Sequence, residues 1–282
     1  MKIAVASGKG GTGKTTISTN LALYLCEESN KVVYLDCDVE EPNGHLFLRP
    51  VLGEKITTSI PVPVIDSSKC NACGECVRFC EYKALVRLGK DVMLFPELCH
   101  GCGGCTLVCP NNAIQEQPRE IGFVESGTSE KIGFVHGRLN IGEAMSPPLI
   151  RAVLRQTRSN DINIIDAPPG TSCPVIASIR DVDFIVLVTE PTPFGLNDLG
   201  LALDMVKVLG IPHGVVVNRA EDDNRDAEDF CEKQNVAILT KIQDDRRIAE
   251  CYSKGEMILK GVPDVKKNFG ELWNAIRKRV HA

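Results

Sequence analysis

The sequence predicts an α/β protein with a mostly parallel sheet, interrupted by one small cysteine-rich domain. Short apolar runs alternate with stretches of helical spacing at both ends of the chain, the pattern of βαβ units. A glycine-rich loop stands between the first such run and the first helical stretch, and eight of the thirteen cysteines fall between residues 70 and 109. The 282 residues suit one large core plus an insertion, and a hydrophobic content of 43% excludes a disordered chain. No apolar run approaches the roughly 18 residues that cross a bilayer, and the first strand leads into a functional loop rather than a cleavable leader. A net charge of −5 gives no electrostatic case for nucleic acid as a partner.

Residues 2–6 (KIAVA) read as a buried strand and residues 13–28 as a helix with Ile17, Leu21 and Leu25 on one face. Residues 31–36 (KVVYLD) form a second buried strand, with Asp36 at its end and Asp38 just beyond, which completes a βαβ unit. Pro61, Pro63 and Asp66 then break the pattern. The expected division is 1–60 for the first part of the large domain, 61–118 for the insertion and 119–282 for the second part. Residues 121–124 and 132–136 read as strands joined by a turn in SGTSE. Ser146 suits an N-cap before Pro147 and Pro148, opening a helix to about residue 158. Strands follow at 163–166, 184–189, 214–218 and 236–240, with helices at 197–208 and 226–234. A terminal helix at 265–279 carries Trp273, the only tryptophan, as a packing anchor.

The loop Gly8-Lys9-Gly10-Gly11-Thr12-Gly13-Lys14-Thr15 matches GxxxxGK(S/T) in the strand–loop–helix context that this phosphate-binding motif requires. Glycines let backbone N–H groups curl around phosphate oxygens, and the following helix, opening through Thr16, adds its positive end. Lys14 suits the β and γ phosphates of ATP, or the β phosphate of ADP, and the Thr15 hydroxyl suits Mg2+. A dinucleotide loop shares the strand–loop–helix setting but lacks the lysine. Asp36, Asp38 and Asp166 all stand at strand carboxyl ends, where open α/β sheets bind ligands.

The insertion holds two copies of C-x2-C-x2-C-x3-C, the second 29 residues after the first (Cys70 to Cys99, Cys80 to Cys109). Pro110 follows the last cysteine, and the run resembles that of bacterial two-cluster ferredoxins. The resemblance implies two 4Fe-4S clusters with crossed ligation. Cys70, Cys73 and Cys76 would share one cluster with Cys109, and Cys99, Cys102 and Cys105 the other with Cys80. Zinc is the rival ligand, since thiolates at x2 spacing also suit a tetrahedral site. His100, inside the second copy, reads as a surface residue. Cys173 is either a redox-coupled interface thiol or a small buried residue, and Cys26, Cys37, Cys231 and Cys251 read as packing.

Lys9 adds a second lysine to the phosphate loop, and here the chain resembles the MinD/ParA/Mrp group of P-loop ATPases with their deviant Walker A loop. It also resembles, more distantly, the nitrogenase iron protein. The resemblance implies a P-loop NTPase fold, slow ATP hydrolysis without a partner, and a nucleotide-dependent homodimer in which Lys9 reaches the partner's phosphates. It also implies that Asp38 orients the attacking water, that Asp36 and Asp166 support the Mg2+ shell, and that Asn43 belongs to the first switch. Asn218 and Arg219 would contact adenine. MinD relatives bind membrane through a basic amphipathic terminal helix; the tail here has that character, but its apolar positions equally suit closing the core. The whole reading is a cytoplasmic ATPase with an inserted ferredoxin-like 2x4Fe-4S domain and an unknown redox or metallocofactor-assembly partner. ATP would gate electron delivery through the clusters; the alternatives are an ATP-dependent assembly or carrier factor and a nucleotide-switched adaptor.

Overall fold

The computed structural model describes residues 1–280. In chain order its strands are β1 (Lys2–Ala6), β2 (Val32–Asp36), β3 (Val51–Ile65), β4 (Leu85–Leu88), β5 (Asp91–Leu94), β6 (Ile114–Ser129), β7 (Ile132–Leu139), β8 (Ile162–Asp166), β9 (Phe184–Thr189), β10 (His213–Ala220) and β11 (Ile238–Gln243). Nine of them form one sheet in the order β11-β10-β9-β1-β8-β2-β7-β6-β3, and β4 pairs with β5 alone. Pairing is parallel from β11 to β7, whereas β6 and β3 extend the edge antiparallel. The expected P-loop α/β fold, with a mostly parallel sheet, is therefore the one observed.

Both faces of the sheet are covered, so its central strands are continuous apolar runs rather than alternating ones. Ala4, Leu35, Ile165 and Leu187 face one core with Leu199 and Leu203 of the helix Pro193–Leu209. Ile3, Val5, Ile164 and Val186 face the other, where the terminal helix Lys266–Val280 buries Phe269, Leu272 and Ile276 completely. Trp273 packs half-buried beside them. The apolar face of that helix thus closes the core, and no helix among the described residues is long and apolar enough to cross a membrane.

The break expected at Pro61 is absent. β3 runs from Val51 through Pro61 and Pro63 to Ile65, paired with β6 across two register shifts and residue for residue from Ser59 on, Pro61 opposite Pro118. β3 is the outermost strand, so its prolines leave no ladder bond unmade on the open side. The cysteine-rich segment therefore sits at the far end of a two-stranded ribbon, between Ile65 and Ile114. It has only a small cluster of its own, Cys76, Leu85 and Ile114, while Ala84 and Cys99 pack into the main core.

The turn expected in SGTSE falls at its last residue. Gly127 to Ser129 belong to β6, and Glu130, with φ 51°, makes the reversal. A Cβ at Gly127 would lie 2.2 Å from the Val51 carbonyl oxygen, so its glycine serves close strand approach and not a turn. The helix after Ser146 stops at Leu154, and Ser146 makes no side-chain cap.

Candidate functional site

β1 delivers the chain into the phosphate loop, and two tight contacts shape it. Gly8 lies against the helix Pro193–Leu209, where a Cβ would sit 2.1 Å from the Asp198 carbonyl oxygen. Gly13, with φ 91°, lies against Asn218, whose Nδ2 donates to the Thr12 carbonyl at 2.9 Å. Neither position admits a larger residue. The helix Lys14–Glu27 starts directly after the loop, with Thr15 and Thr16 buried in its first turn, so its unpaired N–H groups face the loop's interior.

The expected acids converge on Lys14. Its Nζ is 3.1 Å from Asp166 Oδ1 and 3.8 Å from Asp38 Oδ2. Tyr34 donates its hydroxyl to Asp166 Oδ2 at 2.8 Å. Asp36 lies opposite Asp166 in the β2–β8 register and accepts from the backbone N–H of Asp38 at 3.1 Å and of Gly44 at 2.9 Å. Burial draws the Lys14 ammonium down, but Asp166, Asp38 and Asp36 together outweigh it and leave its pKa raised. Burial first, and Asp166 second, push Asp36 up to about 8; burial lifts Asp38 to about 6. Three carboxylates thus share one lysine, an excess of negative charge suited to a divalent cation.

A stability prediction follows from that excess. Asp36 holds its proton more tightly folded than unfolded, so its charge destabilises the fold progressively as pH rises from about 4 to about 8. Without nucleotide or metal, Asp36→Asn is expected to raise the melting temperature by about 4 °C at pH 8 and by almost nothing at pH 4, as followed by circular dichroism. An equal gain at both values would contradict the like-charge account.

A cavity of about 430 Å³ opens over the loop, lined by Gly10, Gly11, Gly13, Lys14, Thr15, Thr16, Asp38, Asn43, Asn218 and Arg219. Asn43 Oδ1 faces no protein partner among the described residues. The sequence reading missed the opposite wall, Gln243, Asp244, Asp245, Ile248 and Tyr252, which follows the end of β11. The strand-end rule that picked out Asn218 points to the same place, one strand further on. Lys9 is not part of this lining; its Nζ lies 3.8 Å from Glu190 Oε2.

The eight clustered cysteines ring two separate cavities. Cys70, Cys73, Cys76 and Cys109 line one, and Cys80, Cys99, Cys102 and Cys105 the other. The Ala113 backbone N–H donates to Cys109 Sγ at 3.3 Å. Among the described residues no three His, Cys, Asp or Glu side chains converge closely enough to hold a metal ion. His100 is exposed and stacks on Tyr82 with ring centroids 3.4 Å apart. Cys173 is exposed at the start of the helix Cys173–Ile179, which removes the buried reading of that thiol. Cys37, Cys231 and Cys251 are buried, and burial pushes the Cys37 and Cys231 thiols up, the latter to about 11, so they pack rather than react.

Residues 3–258 match the family described as the CobQ/CobB/MinD/ParA nucleotide binding domain. An uncharacterized protein of Methanocaldococcus jannaschii is 33% identical over 98% of this chain and 97% of its own length. The iron-sulfur cluster carrier protein of Pyrococcus abyssi is 25% identical over 96% of this chain and 83% of its own. Among solved structures, the septum site-determining protein MinD of Pyrococcus horikoshii, complexed with Mg-ADP, superposes with a TM-score of 0.60. That likeness covers 98% of this chain and 96% of the other at 20% identity, and extends to the fold.

Proposed function

The chain belongs to the CobQ/CobB/MinD/ParA nucleotide-binding family as a P-loop ATPase, and from that premise we propose that it is an ATP-dependent factor for assembling or transferring iron–sulfur clusters or related metallocofactors. In this reading residues 61–118 are an inserted ferredoxin-like domain holding two 4Fe-4S clusters. One observation carries it: the same chain joins a complete phosphate-loop site to two cavities, each ringed by four thiols. The similarity to iron–sulfur cluster carrier proteins favours the assembly side.

Cys70, Cys73, Cys76 and Cys109 would hold one cluster and Cys80, Cys99, Cys102 and Cys105 the other. Soft thiolates in fours are the donors iron–sulfur groups take, and the Ala113 N–H donated to Cys109 Sγ already holds that sulfur in position. When bound, the clusters supply one-electron chemistry. At the ATP site, Lys14 and the loop N–H groups bind the phosphates, and Thr15, Asp36 and Asp166 fit the Mg2+ shell. Asp38, mostly buried at the cavity wall, orients water, and Lys9 serves the partner's phosphates in a nucleotide-bound homodimer. Asn218 and Arg219 stand on the adenine side.

The two halves are joined through a short chain of contacts. Gly44 is hydrogen-bonded to Asp36, and its neighbour His45 meets the His136 ring at 5.7 Å. His136 lies opposite Asp36 in the β2–β7 register and bonds Glu125 of β6 through Nε2 at 3.1 Å. β6 runs on to Ile114, next to the residues that line the first cysteine cavity. In this reading a change at the first switch would pass along the ribbon that carries the cysteines.

The test loads the protein with iron and sulfide anaerobically and follows transfer to an apo-ferredoxin acceptor. Transfer accelerated several-fold by MgATP, and not by MgADP or in Lys9→Ala, is the expected result; transfer indifferent to nucleotide would overturn the assembly reading. The separate quartet cavities favour a second reading, ATP-gated electron delivery. That reading requires ATP turnover to depend on whether the loaded protein is oxidised or reduced.

A further inference from the structure

Two cations of the nucleotide site share one carboxylate that no motif singles out. Glu190 Oε2 lies 3.8 Å from Lys9 Nζ, and Glu190 Oε1 lies 2.7 Å from Arg219 Nη1. Glu190 directly follows β9 and is only 8% exposed. Its backbone is wedged in place, because Gly195 packs so closely that a Cβ there would lie 2.5 Å from the Glu190 carbonyl oxygen. Lys9 and Arg219, by contrast, hold their side chains partly in solvent, at 32% and 59% exposure. The anion is fixed and the cations are free to leave.

We propose that Glu190 is a latch. It holds Lys9 within its own subunit until a second, ATP-loaded copy of the chain presents its phosphates, and it positions Arg219 at the cavity mouth in the same closed state. This rests on the reading of Lys9 as the residue that acts across the dimer. Lys14 lines the nucleotide cavity of its own chain; Lys9 does not, and is turned instead onto Glu190. A triphosphate carries more negative charge than one carboxylate, so it can draw the lysine off, and the 3.8 Å pair, open to solvent on its lysine side, is weak enough to let go. Arg219 sits at φ 52°, in the left-handed region that a non-glycine residue seldom holds, which is the kind of local strain found at switch positions. Glu190 therefore acts through Lys9 and sets how readily the dimer closes.

The experiment measures the protein concentration at which the β,γ-imido analogue of ATP drives dimerisation, by sedimentation, for the full-length wild type, Glu190→Gln, Lys9→Ala and the double variant. Glu190→Gln is expected to lower the midpoint about fivefold, or about 1 kcal/mol. Lys9→Ala should raise the midpoint, and adding Glu190→Gln to it should change nothing further. Glu190→Asp, which withdraws the charge by one methylene, should move the midpoint in the same direction by less, and it serves if the glutamine variant folds poorly. A midpoint unchanged or raised in both Glu190 variants overturns the latch. So does the same gain appearing in the Lys9→Ala background. If Lys9→Ala dimerises as well as the wild type, the trans-acting lysine itself falls, and the latch falls with it.

Discussion

Lys14→Ala is expected to abolish ATP hydrolysis, by at least about a hundredfold, and at the same time to make the protein's stability sharply pH-dependent. Lys14 is buried, only 7% exposed, and Asp166, Asp38 and Asp36 are the charges that raise its pKa. Removing it takes away the cation proposed to bind the phosphates and leaves three carboxylates facing one another in the same low-dielectric site. Loss of a buried charge partner costs about 3–5 kcal/mol, which for a chain of this size lowers the melting temperature by about 10 °C. The sign follows from the direction of the shifts. Asp36 and Asp38 already sit above their ordinary values, and without Lys14 both rise further, so the folded protein binds more protons than the unfolded one. The loss should be full near pH 8 and small near pH 4. Melting at the two values and ATP turnover at neutral pH check both halves. A variant equally stable at both would contradict the proposed sharing of one lysine by three acids.

The second large effect lies in the insertion. Cys109 belongs to the second sequence copy but lines the cavity of Cys70, Cys73 and Cys76. Cys109→Ser is therefore expected to lower the iron content of the reconstituted protein from about eight to about four atoms per chain. Adding Cys73→Ser should then cost no further iron, because both thiols serve one cavity, whereas adding Cys102→Ser should remove nearly all that remains. Iron and acid-labile sulfide assays read these numbers directly. If Cys109→Ser combined with Cys102→Ser retains about four irons, the ligation is not crossed and each sequence copy holds its own group.

The phosphate loop and its acids were legible because their chemistry is local. Gly13, Lys14 and Thr15 are neighbours in sequence, and Asp36 and Asp166 are marked by the strand ends they occupy. Glu190 was not legible, since nothing around it in TEPTPFG differs from an ordinary strand-to-helix connection. Its meaning comes from Lys9 and Arg219, which reach it from residues far away in the chain. The wall formed by Asp245 and Tyr252 was within reach of the strand-end rule, applied one strand further on. The prolines at 61 and 63 misled because a strand at a sheet edge and a broken strand look alike until the neighbour is known. The ribbon that joins the cysteines to the sheet, and with it the contact of His136 with Glu125, could be seen only once β6 was paired.

The central claim is that the ATP site and the cysteine-ringed domain work as one device. It is tested most directly by ATP hydrolysis of the anaerobically loaded protein, compared with the same preparation after its iron has been removed by chelation. The account predicts rates that differ at least about threefold between the two forms, with the difference abolished in Lys9→Ala. Identical rates in loaded and stripped protein would mean that the two halves share a chain and nothing more.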